Sequence, residues 1–510
     1  MLKTEHCSDH VMVIGAGIGS LAAAMRLRAL GYRVTILERH PWLGGKIRTV
    51  PSDAGPIDAG PTVLTLRHVF DDLFACFGAK LEEHVNLVQN EVIARHFWPD
   101  GSTLDLYRDQ DKTAEAVQAL AGAKTRRQFE TFCARTQRLF EAFDTPMMQA
   151  ADPNIAALAG SVLSSPRLIP AMAPLSTMKQ LLKRSFYDPR LRQLFGRYAT
   201  YVGGSPGHSP AILSLIWQAE AQGVWIVEGG MHRLVEAIAM LLTRAGVEIK
   251  TEAHVERLEM QGGLVRAVHL ADGDRVACDL VVFGGDPRAL ATGELGSSLT
   301  AIASQTADLP RSFSARVHSF AAKPAGPELS HHNIFFDQNA DQEFDDLMAG
   351  RIPANPSIYL CALDRGQTEE PQSIERFEII TNAPPDPEPA KDIDQWHHQI
   401  MQKMARFGMT FSPTPGPETV TTPAMFNAMF PATCGALYGQ TPHGLTASLK
   451  RPRARTQIPN LYLVGGGTHP GAGVPMAALS ARHAVDAILR DQTSMSTSAQ
   501  TAMRGGMSTA

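Results

Sequence analysis

Cysteine is scarce in this chain of 510 residues, and its few cysteines form no metal-binding pattern. The six stand at positions 7, 76, 133, 278, 361 and 434, with no CxxC pair and no metal-ligand spacing. Scattered cysteines of this kind indicate reduced thiols. We therefore expect a cytoplasmic protein without a bound metal.

Excess positive charge and long apolar runs are absent as well. A net charge of −4 with 19% charged residues leaves no basic footprint, which argues against nucleic acid as a partner. No stretch approaches the ~20 apolar residues of a membrane-spanning helix. The first predicted strand follows about ten polar residues, which leaves no room for a signal peptide, so any membrane contact is expected to be peripheral.

A strand, a glycine loop, a helix and a second strand occupy residues 11–39. Val11–Ile14 predicts a buried strand, Leu21–Leu30 a helix, and Val34–Leu37 the second strand. The loop between the first strand and the helix is Gly15-Ala16-Gly17-Ile18-Gly19-Ser20, with Ser20 in place of a third glycine. This is the βαβ fingerprint of dinucleotide binding, in which a pyrophosphate approaches backbone N–H groups at a helix N-terminus.

The residues after the second strand decide between cofactors. Glu38 is placed to accept hydrogen bonds from a ribose diol, and it would repel the 2′-phosphate of NADP that Arg39 alone would favour. Two later segments, Gly44-Gly45-Lys46 and Asp58-Ala59-Gly60-Pro61-Thr62, resemble the flavin-binding pattern of the amine oxidase and phytoene desaturase superfamily. That resemblance implies FAD, with the paired glycines and Lys46 approaching the diphosphate and the flavin.

Helices joined by long loops are predicted between Thr113 and about Gln222. Within this stretch, residues 150–185 combine apolar residues with the cations Arg167, Lys179, Lys183 and Arg184. Such a segment fits a patch that touches a bilayer, and it fits equally an ordinary helical cap over an active site.

The dinucleotide-binding domain is predicted to be discontinuous. Strand and helix signals return at 223–290, and a strand, the loop Gly465–Gly473 and a helix from Val474 to Leu489 come near the end of the chain. The predicted domains are an FAD-binding domain (9–70, 223–290 and 455–490), a mixed-sheet substrate domain (71–112 and 291–454), a helical lid (113–222) and a disordered tail (491–510).

Together these blocks resemble the bacterial carotenoid desaturases over nearly the whole chain. YLVGGGTHPGAGVP is the most specific block, and GPTVLTLRHVFDDLF and HPGAGVPMAALSARHAV are most similar to the hydroxyneurosporene (methoxyneurosporene) desaturases. The resemblance implies a Rossmann-like α/β fold of the amine-oxidase type and FAD-dependent introduction of a C-3,4 double bond into 1-hydroxy acyclic carotenoids. It also implies a protein peripheral to the inner membrane that passes its electrons to oxygen or a quinone.

The family pattern also assigns residues to the cofactor. Val255 would contact adenine through its backbone, and Asp286 lies in a segment similar to the family's VV.NADP element. The full set predicted to bind FAD is Gly15, Ala16, Gly17, Ile18, Gly19, Ser20, Glu38, Arg39, Gly45, Lys46, Gly60, Pro61, Thr62, Val255, Asp286, Gly466, Gly467, Val474, Pro475 and Met476.

No catalytic group is identified by the sequence, which contains no obligatory nucleophile–base pair or carboxylate pair. His469, in the late glycine loop, is a candidate base, with packing or orientation of the flavin as the alternative. Asp58 and Arg67 stand near the ends of a motif and are either site residues or surface partners.

Other activities fit parts of the pattern. Phytoene desaturation and carotenoid isomerisation would use the same motifs. Protoporphyrinogen or amine oxidation is a second alternative, although PATCGALYG around Cys434 does not resemble a covalent flavin attachment site. The third is a prenyl-binding protein without FAD, like the GDP-dissociation inhibitors, against which the intact flavin motifs argue.

Overall fold

The computed structural model describes residues 9–153, 168–444 and 447–504. The strands are β1 His10–Ile14, β2 Arg33–Leu37, β3 Thr49–Val50, β4 Ile57–Asp58, β5 Leu87–Gln89, β6 Val92–Phe97, β7 Thr103–Tyr107, β8 Trp225–Val227, β9 Glu248–Lys250, β10 Val255–Gln261, β11 Leu264–Leu270, β12 Arg275–Ala277, β13 Leu280–Phe283, β14 Ser314–Ala325, β15 His332–Phe335, β16 Ile358–Ala362, β17 Glu375–Ala383, β18 Thr410–Ser412, β19 Val420–Thr421 and β20 Leu461–Leu463. The α-helices are α1 Ile18–Ala29, α2 His68–Cys76, α3 Gln110–Phe143, α4 Leu168–Met172, α5 Met178–Ser185, α6 Pro189–Gly196, α7 Ile216–Ala221, α8 His232–Arg244, α9 Arg288–Ala291, α10 Ala340–Met348, α11 Ile393–Arg406, α12 Pro423–Met429 and α13 Val474–Arg504.

A five-stranded parallel sheet forms the dinucleotide-binding half. Its order is β20-β13-β1-β2-β9, so distant segments of the chain meet in one sheet. Helix α1 packs on this sheet and on α13, and its buried run Ala22, Ala23 and Ala24 permits a close approach because the side chains are small. Gly19 leaves no room for a side chain, since a Cβ there would lie 2.9 Å from the backbone of Gly465 and 3.0 Å from the carbonyl oxygen of Ala477 in α13. The predicted α/β fold is confirmed.

The second half is built on an eight-stranded mixed sheet. Its order is β18-β14-β17-β16-β15-β6-β7, with β19 beside β14 and β6 parallel to β15. One face carries Phe320, Leu360, Phe377 and Ile379 against the apolar side of α11.

The other face of this sheet presents three rows of side chains, because alternate residues of a strand point to the same side. The inner row is Ser319, Glu378, Cys361 and His332, and the middle row is Val317, Ile380, Tyr359 and Ile334. The outer row is Ala315 and Asn382, continued by Ser357 and Phe336 just beyond the ends of β16 and β15. The inner row lies beside β4, since Ser319 Oγ donates to the carbonyl of Asp58 at 3.4 Å.

Helices α3 to α7 cover the gap between the two sheets. Their own core is aromatic, with ring centroids 4.7 Å apart between Phe132 and Phe195 and 5.2 Å between Phe186 and Phe195. Helix α3 ends in a π-helical turn, Asp144–Met148, that extends toward the parallel sheet. None of the described helices is long and apolar enough to cross a membrane.

Three predicted elements differ from the structure. Helix α1 begins at Ile18, inside the glycine loop, rather than at Leu21. The single strand expected at 276–283 is two strands in different sheets, β12 and β13. The third is the tail over 491–510, where α13 continues as far as Arg504 through a stretch that lacks glycine and proline; residues 505–510 lie outside the described residues, and disorder of the tail stays a prediction.

Candidate functional site

A cavity of about 1300 Å³ runs between the parallel sheet, the mixed sheet and the helical lid. Ligand pockets of single drug-sized molecules measure about 300–1,000 Å³, so this cavity has room for a large cofactor and a second ligand. Every residue predicted to bind FAD lines it except Ala16, and His469 lines it as well. We call the part beside the parallel sheet the cofactor end and the part between the lid and the mixed sheet the substrate end.

The N-terminus of α1 opens into the cofactor end. Gly15, at φ +87°, makes the turn out of β1, and its N–H donates to the carbonyl of Leu37 at 2.7 Å. Gly17 is the N-cap of α1 and supplies no side-chain cap. Since a Cβ on Gly17 would meet no atom within 4 Å, the first N–H groups of the helix face open space, as a diphosphate requires.

Glu38 lies at the adjacent strand end and is held by backbone groups. Its Oε2 accepts from the N–H of Ala16 at 2.7 Å, and its Oε1 accepts from the N–H of His40 at 2.9 Å. The carboxylate is buried yet lines the cavity, so it is fixed in place for a ribose diol. Ala16 therefore acts by orienting Glu38, while its neighbours face the cavity.

The two early flavin motifs are packed against each other. Gly44 N–H donates to the carbonyl of Ala16 at 2.9 Å, which ties the Gly-Gly-Lys segment to the dinucleotide loop. A Cβ on Gly60 would lie 1.9 Å from the carbonyl oxygen of Lys46. Only glycine fits at position 60, and so the Asp-Ala-Gly-Pro-Thr segment lies directly on the Gly-Gly-Lys segment.

Three cations and one carboxylate meet at the boundary between the two ends. Lys46 Nζ donates to the carbonyl of Leu437, and Arg311 pairs with Asp286. Arg451 donates to the carbonyls of Gly466 at 2.8 Å and Tyr438 at 2.9 Å. Burial lowers the pKa of Lys46 to about 8 and that of Arg451 to about 10. With one carboxylate for three buried cations, the region favours a ligand that carries or acquires negative charge.

The sequence pattern identified Lys46 and Asp286 but missed Arg311 and Arg451. Both arginines stand outside the recognised motifs, and each reaches the site from a separate segment of the chain. A buried arginine has no local sequence signature, because its burial depends on which distant carbonyls and carboxylates surround it.

His469 connects the late glycine loop to the helical lid. Its Nε2 donates to the carbonyl of Ala150 at 2.9 Å, and its ring stacks on His483 with centroids 5.4 Å apart. Burial lowers the pKa of His469, which keeps the ring neutral. These contacts favour packing and orientation over a role as base.

Asp58 and Arg67 take structural positions. Buried Asp58 accepts from the N–H of Met231 at 2.6 Å and from His232 Nδ1 at 3.0 Å, and so joins β4 to α8. Arg67 forms ion pairs with Asp71 and Glu82 near the surface.

The substrate end is apolar on most of its wall. The lid contributes Phe140, Phe143, Met147 and Met172, and the middle row of the sheet contributes Val317, Ile334 and Ile380. A long hydrocarbon is the ligand that such a wall accepts, because each buried CH₂ group gains about 0.8 kcal/mol on leaving water.

Polar side chains interrupt that wall, among them three hydrogen-bonded groups, and Thr62 is the one member of these groups that the sequence pattern identified. Thr62 Oγ1 is hydrogen-bonded to Tyr359 OH at 2.6 Å, and Tyr359 OH shares a second hydrogen bond with His332 Nδ1 at 2.7 Å. In the lid, Arg197 Nη2 donates to Tyr201 OH at 2.9 Å. In the outer row, Glu343 accepts from Ser357 and Asn382.

A buried group of potential metal ligands lies behind Tyr359. The ligating atoms of His331, His332 and Cys361 are within 4.8 Å of one another. Burial lowers the pKa of both histidines and raises the pKa of the thiol, so all three are neutral. His331 Nδ1 donates to the carbonyl of Arg365 at 2.7 Å, which turns its other nitrogen toward Cys361. The absence of a metal stays a prediction.

A family model, curated relatives and a solved structure are all similar to this chain. The family model for flavin-containing amine oxidoreductases matches residues 21–314. The chain is 51% identical to the hydroxyneurosporene desaturase of Cereibacter sphaeroides (95% of this chain, 98% of the relative) and 46% identical to that of Rhodobacter capsulatus, with the same coverage. Its fold is similar to that of putrescine oxidase bound to putrescine, with a TM-score of 0.62 and 14% identity over 94% of this chain and 99% of the other.

Proposed function

The chain belongs to the flavin-containing amine oxidoreductases and, within them, to the hydroxyneurosporene desaturase family, and we propose that it introduces the C-3,4 double bond into 1-hydroxy acyclic carotenoids. It is an FAD-dependent oxidoreductase that acts on CH–CH groups. The observation that carries the proposal is one continuous cavity, with a dinucleotide cradle at one end and an apolar channel at the other.

The residues that would hold FAD fit its chemistry. Gly17 leaves space at a helix N-terminus for the diphosphate, Glu38 is fixed for the ribose, and Lys46 with Arg451 supplies positive charge beside the late glycine loop. FAD supplies the acceptor for the hydride that leaves the substrate.

The chain's own contribution is to position the polyene and to exclude water. Phe140, Phe143 and Met147 of the lid face Val317 and Ile380 of the sheet across the cavity, so a hydrocarbon between them is desolvated along its length. Orientation of the reacting bond against the cofactor is worth several orders of magnitude in rate. The terminal electron acceptor, oxygen or a quinone, stays a prediction.

Contact with a membrane surface is part of the proposal, since carotenoids reside in lipid. Leu175 is 89% exposed and Ile169 43% exposed, and between them Met172, Ala173 and Pro174 line the cavity. The exposed cations Lys183 and Arg184 follow on α5. Apolar residues beside cations at a cavity mouth are typical of a monotopic docking patch. Arg167 and residues 154–167 of the predicted patch lie outside the described residues.

Co-sedimentation with anionic liposomes tests this contact. We expect Leu175→Glu to reduce the bound fraction about tenfold, because the leucine can no longer enter the lipid. Met240→Glu is the matched control, since Met240 is an exposed apolar residue on α8 of the dinucleotide half. Equal binding by both variants and the wild type would contradict the proposed patch.

Pigment analysis tests the reaction. The gene is expressed in bacteria that make 1-hydroxyneurosporene and, separately, in bacteria that make phytoene. We expect a red shift of one conjugated double bond in the first strain and none in the second. Colour from phytoene would establish a general desaturase. If neither strain changed colour while the purified protein was yellow, the assignment of FAD would stand and the assignment of a carotenoid substrate would be refuted.

A further inference from the structure

The proposed reaction requires a polar contact next to the reacting bond. The hydroxyl of a 1-hydroxy carotenoid is on C1, and only C2 separates that carbon from the C3–C4 bond. When the reacting bond lies against the cofactor, the hydroxyl is therefore at the boundary of the two ends of the cavity. A hydroxyl left there without a partner would lose its hydrogen bonds to water and gain none in return, which disfavours binding.

On the sheet side of this boundary, opposite the cations, the middle row is aliphatic except at one place. Tyr359 stands in the middle row between Ile380 and Ile334, and it is the polar member of that row. Its phenol is bonded to Thr62, in the segment that packs directly on Gly-Gly-Lys through Gly60. Both Thr62 and Tyr359 line the cavity.

The two hydroxyls have unused hydrogen-bonding capacity. A hydroxyl offers one donor and two acceptor positions. Tyr359 OH takes part in bonds with Thr62 and His332, and the buried thiol of Cys361 interacts with both hydroxyls, so two of the three positions of Thr62 Oγ1 are in use. His332 lies behind them, buried, and its ring is kept neutral by burial and by the nearby charge of Arg197, which together lower its pKa. The chain Thr62–Tyr359–His332 is thus preorganised and still has room for one partner.

The polar group of the outer row is a weaker candidate for binding the substrate hydroxyl. Glu343 accepts from the N–H of Ser357 at 3.0 Å and from its hydroxyl at 2.8 Å, and it accepts from Asn382 at 3.0 Å. These groups satisfy one another and lie one row further from Thr62.

We propose that Thr62 Oγ1 and Tyr359 OH together bind the tertiary hydroxyl of the substrate and so select 1-hydroxy carotenoids over unhydroxylated ones. The inference rests on the proposed function and adds to it the residues that recognise the hydroxyl. A site built to bond a hydroxyl discriminates strongly against an analogue without one, since its own polar groups are then left unpaired.

Binding without turnover provides the test. Holoenzyme reduced with dithionite is titrated with 1-hydroxyneurosporene and with neurosporene, and quenching of tryptophan fluorescence gives the two dissociation constants. We expect the wild type to favour the hydroxylated carotenoid about tenfold or more, and Tyr359→Phe and Thr62→Val each to lose most of that preference. The ratio of kcat/KM for the two carotenoids should fall in parallel. The flavin content of Tyr359→Phe should be unchanged, and Thr62→Val is compared with the wild type at equal flavin loading because Thr62 is also predicted to bind FAD.

Ser357→Ala is the matched control, because it removes a hydroxyl that lines the same cavity, two residues before Tyr359 in the chain. Its preference should equal that of the wild type. A wild-type preference retained in both Tyr359→Phe and Thr62→Val would overturn the inference while leaving the desaturase intact. A wild type that binds neither carotenoid would instead refute the proposed function.

Discussion

The two ends of the cavity are built by different means. The cofactor end consists largely of backbone: glycines at turns, a helix N-terminus, and carbonyls that orient Lys46 and Arg451. The substrate end consists of side chains from the lid and from one face of the mixed sheet, gathered from segments hundreds of residues apart.

This difference explains why the cofactor end is built from recognisable sequence motifs and the substrate end is not. A diphosphate needs particular backbone conformations, and only a few short glycine patterns supply them. A hydrocarbon needs only an apolar wall of the right shape, which many combinations of Phe, Met, Ile and Val provide. The cofactor end should therefore be intolerant of single substitutions, and the substrate end should respond in a graded way.

The largest effect is expected at Gly17. Gly17→Val would place a branched side chain in the space at the N-terminus of α1, where a Cβ on residue 17 would meet no protein atom within 4 Å. The protein should fold, yet retain less than about a tenth of the wild-type FAD, because the diphosphate and the side chain compete for one volume. Flavin absorbance of the purified protein measures this.

Gly207→Ala serves as the control, since its Cβ would make an ordinary contact, 3.6 Å from Ser205 Oγ, outside the cavity. It should bind FAD normally. Full flavin content in Gly17→Val would mean that the cofactor does not approach this helix end.

An intermediate effect is expected at Lys46. Lys46→Met removes a buried cation and should lower kcat about 10- to 100-fold, because the charge that develops beside the late loop is less well stabilised. Burial lowers the pKa of Lys46 to about 8, so its ammonium is charged below that pH and neutral above it. The kcat of the wild type should therefore fall as pH rises through about 8.

Lys46→Arg keeps the charge at all accessible pH values, because a guanidinium does not deprotonate there. The kcat of Lys46→Arg should therefore not fall as pH rises through about 8. If Lys46→Met showed the same alkaline fall as the wild type, the titrating group would be elsewhere.

The smallest effect is expected at His469, which links the two ends. We propose that the ring holds the lid and accepts no proton, so His469→Ala, which removes the bond to the carbonyl of Ala150, should lower kcat less than about tenfold. Steady-state rates and the pH profile measure this. His469→Gln, which restores an N–H donor without a base, should recover part of the loss; a loss of more than about 100-fold in both variants would establish His469 as the base.

Sequence reasoning reached the cofactor end residue by residue. Glycines 15, 17, 45 and 60, with Glu38 and Lys46, lie in contiguous motifs whose spacing reflects local backbone geometry, and the structure places all of them on the cavity wall. For the substrate end, the resemblance to a family predicted the class of ligand, and sequence reasoning identified few of the residues that line it. Tyr359 and His332 have no local signature, because the register of β15 on β16 is what brings them together.

The sequence by itself determined the α/β fold, the dinucleotide loop and the flavin motifs, because these depend on short-range periodicity and on residues with special backbone freedom. Only the tertiary structure decided that Arg311 and Arg451 meet Lys46, that His469 holds the lid, and that Thr62, Tyr359 and His332 form one hydrogen-bonded chain. Those contacts join residues far apart in the chain, and their geometry is set by sheet register and helix packing, which no local pattern encodes.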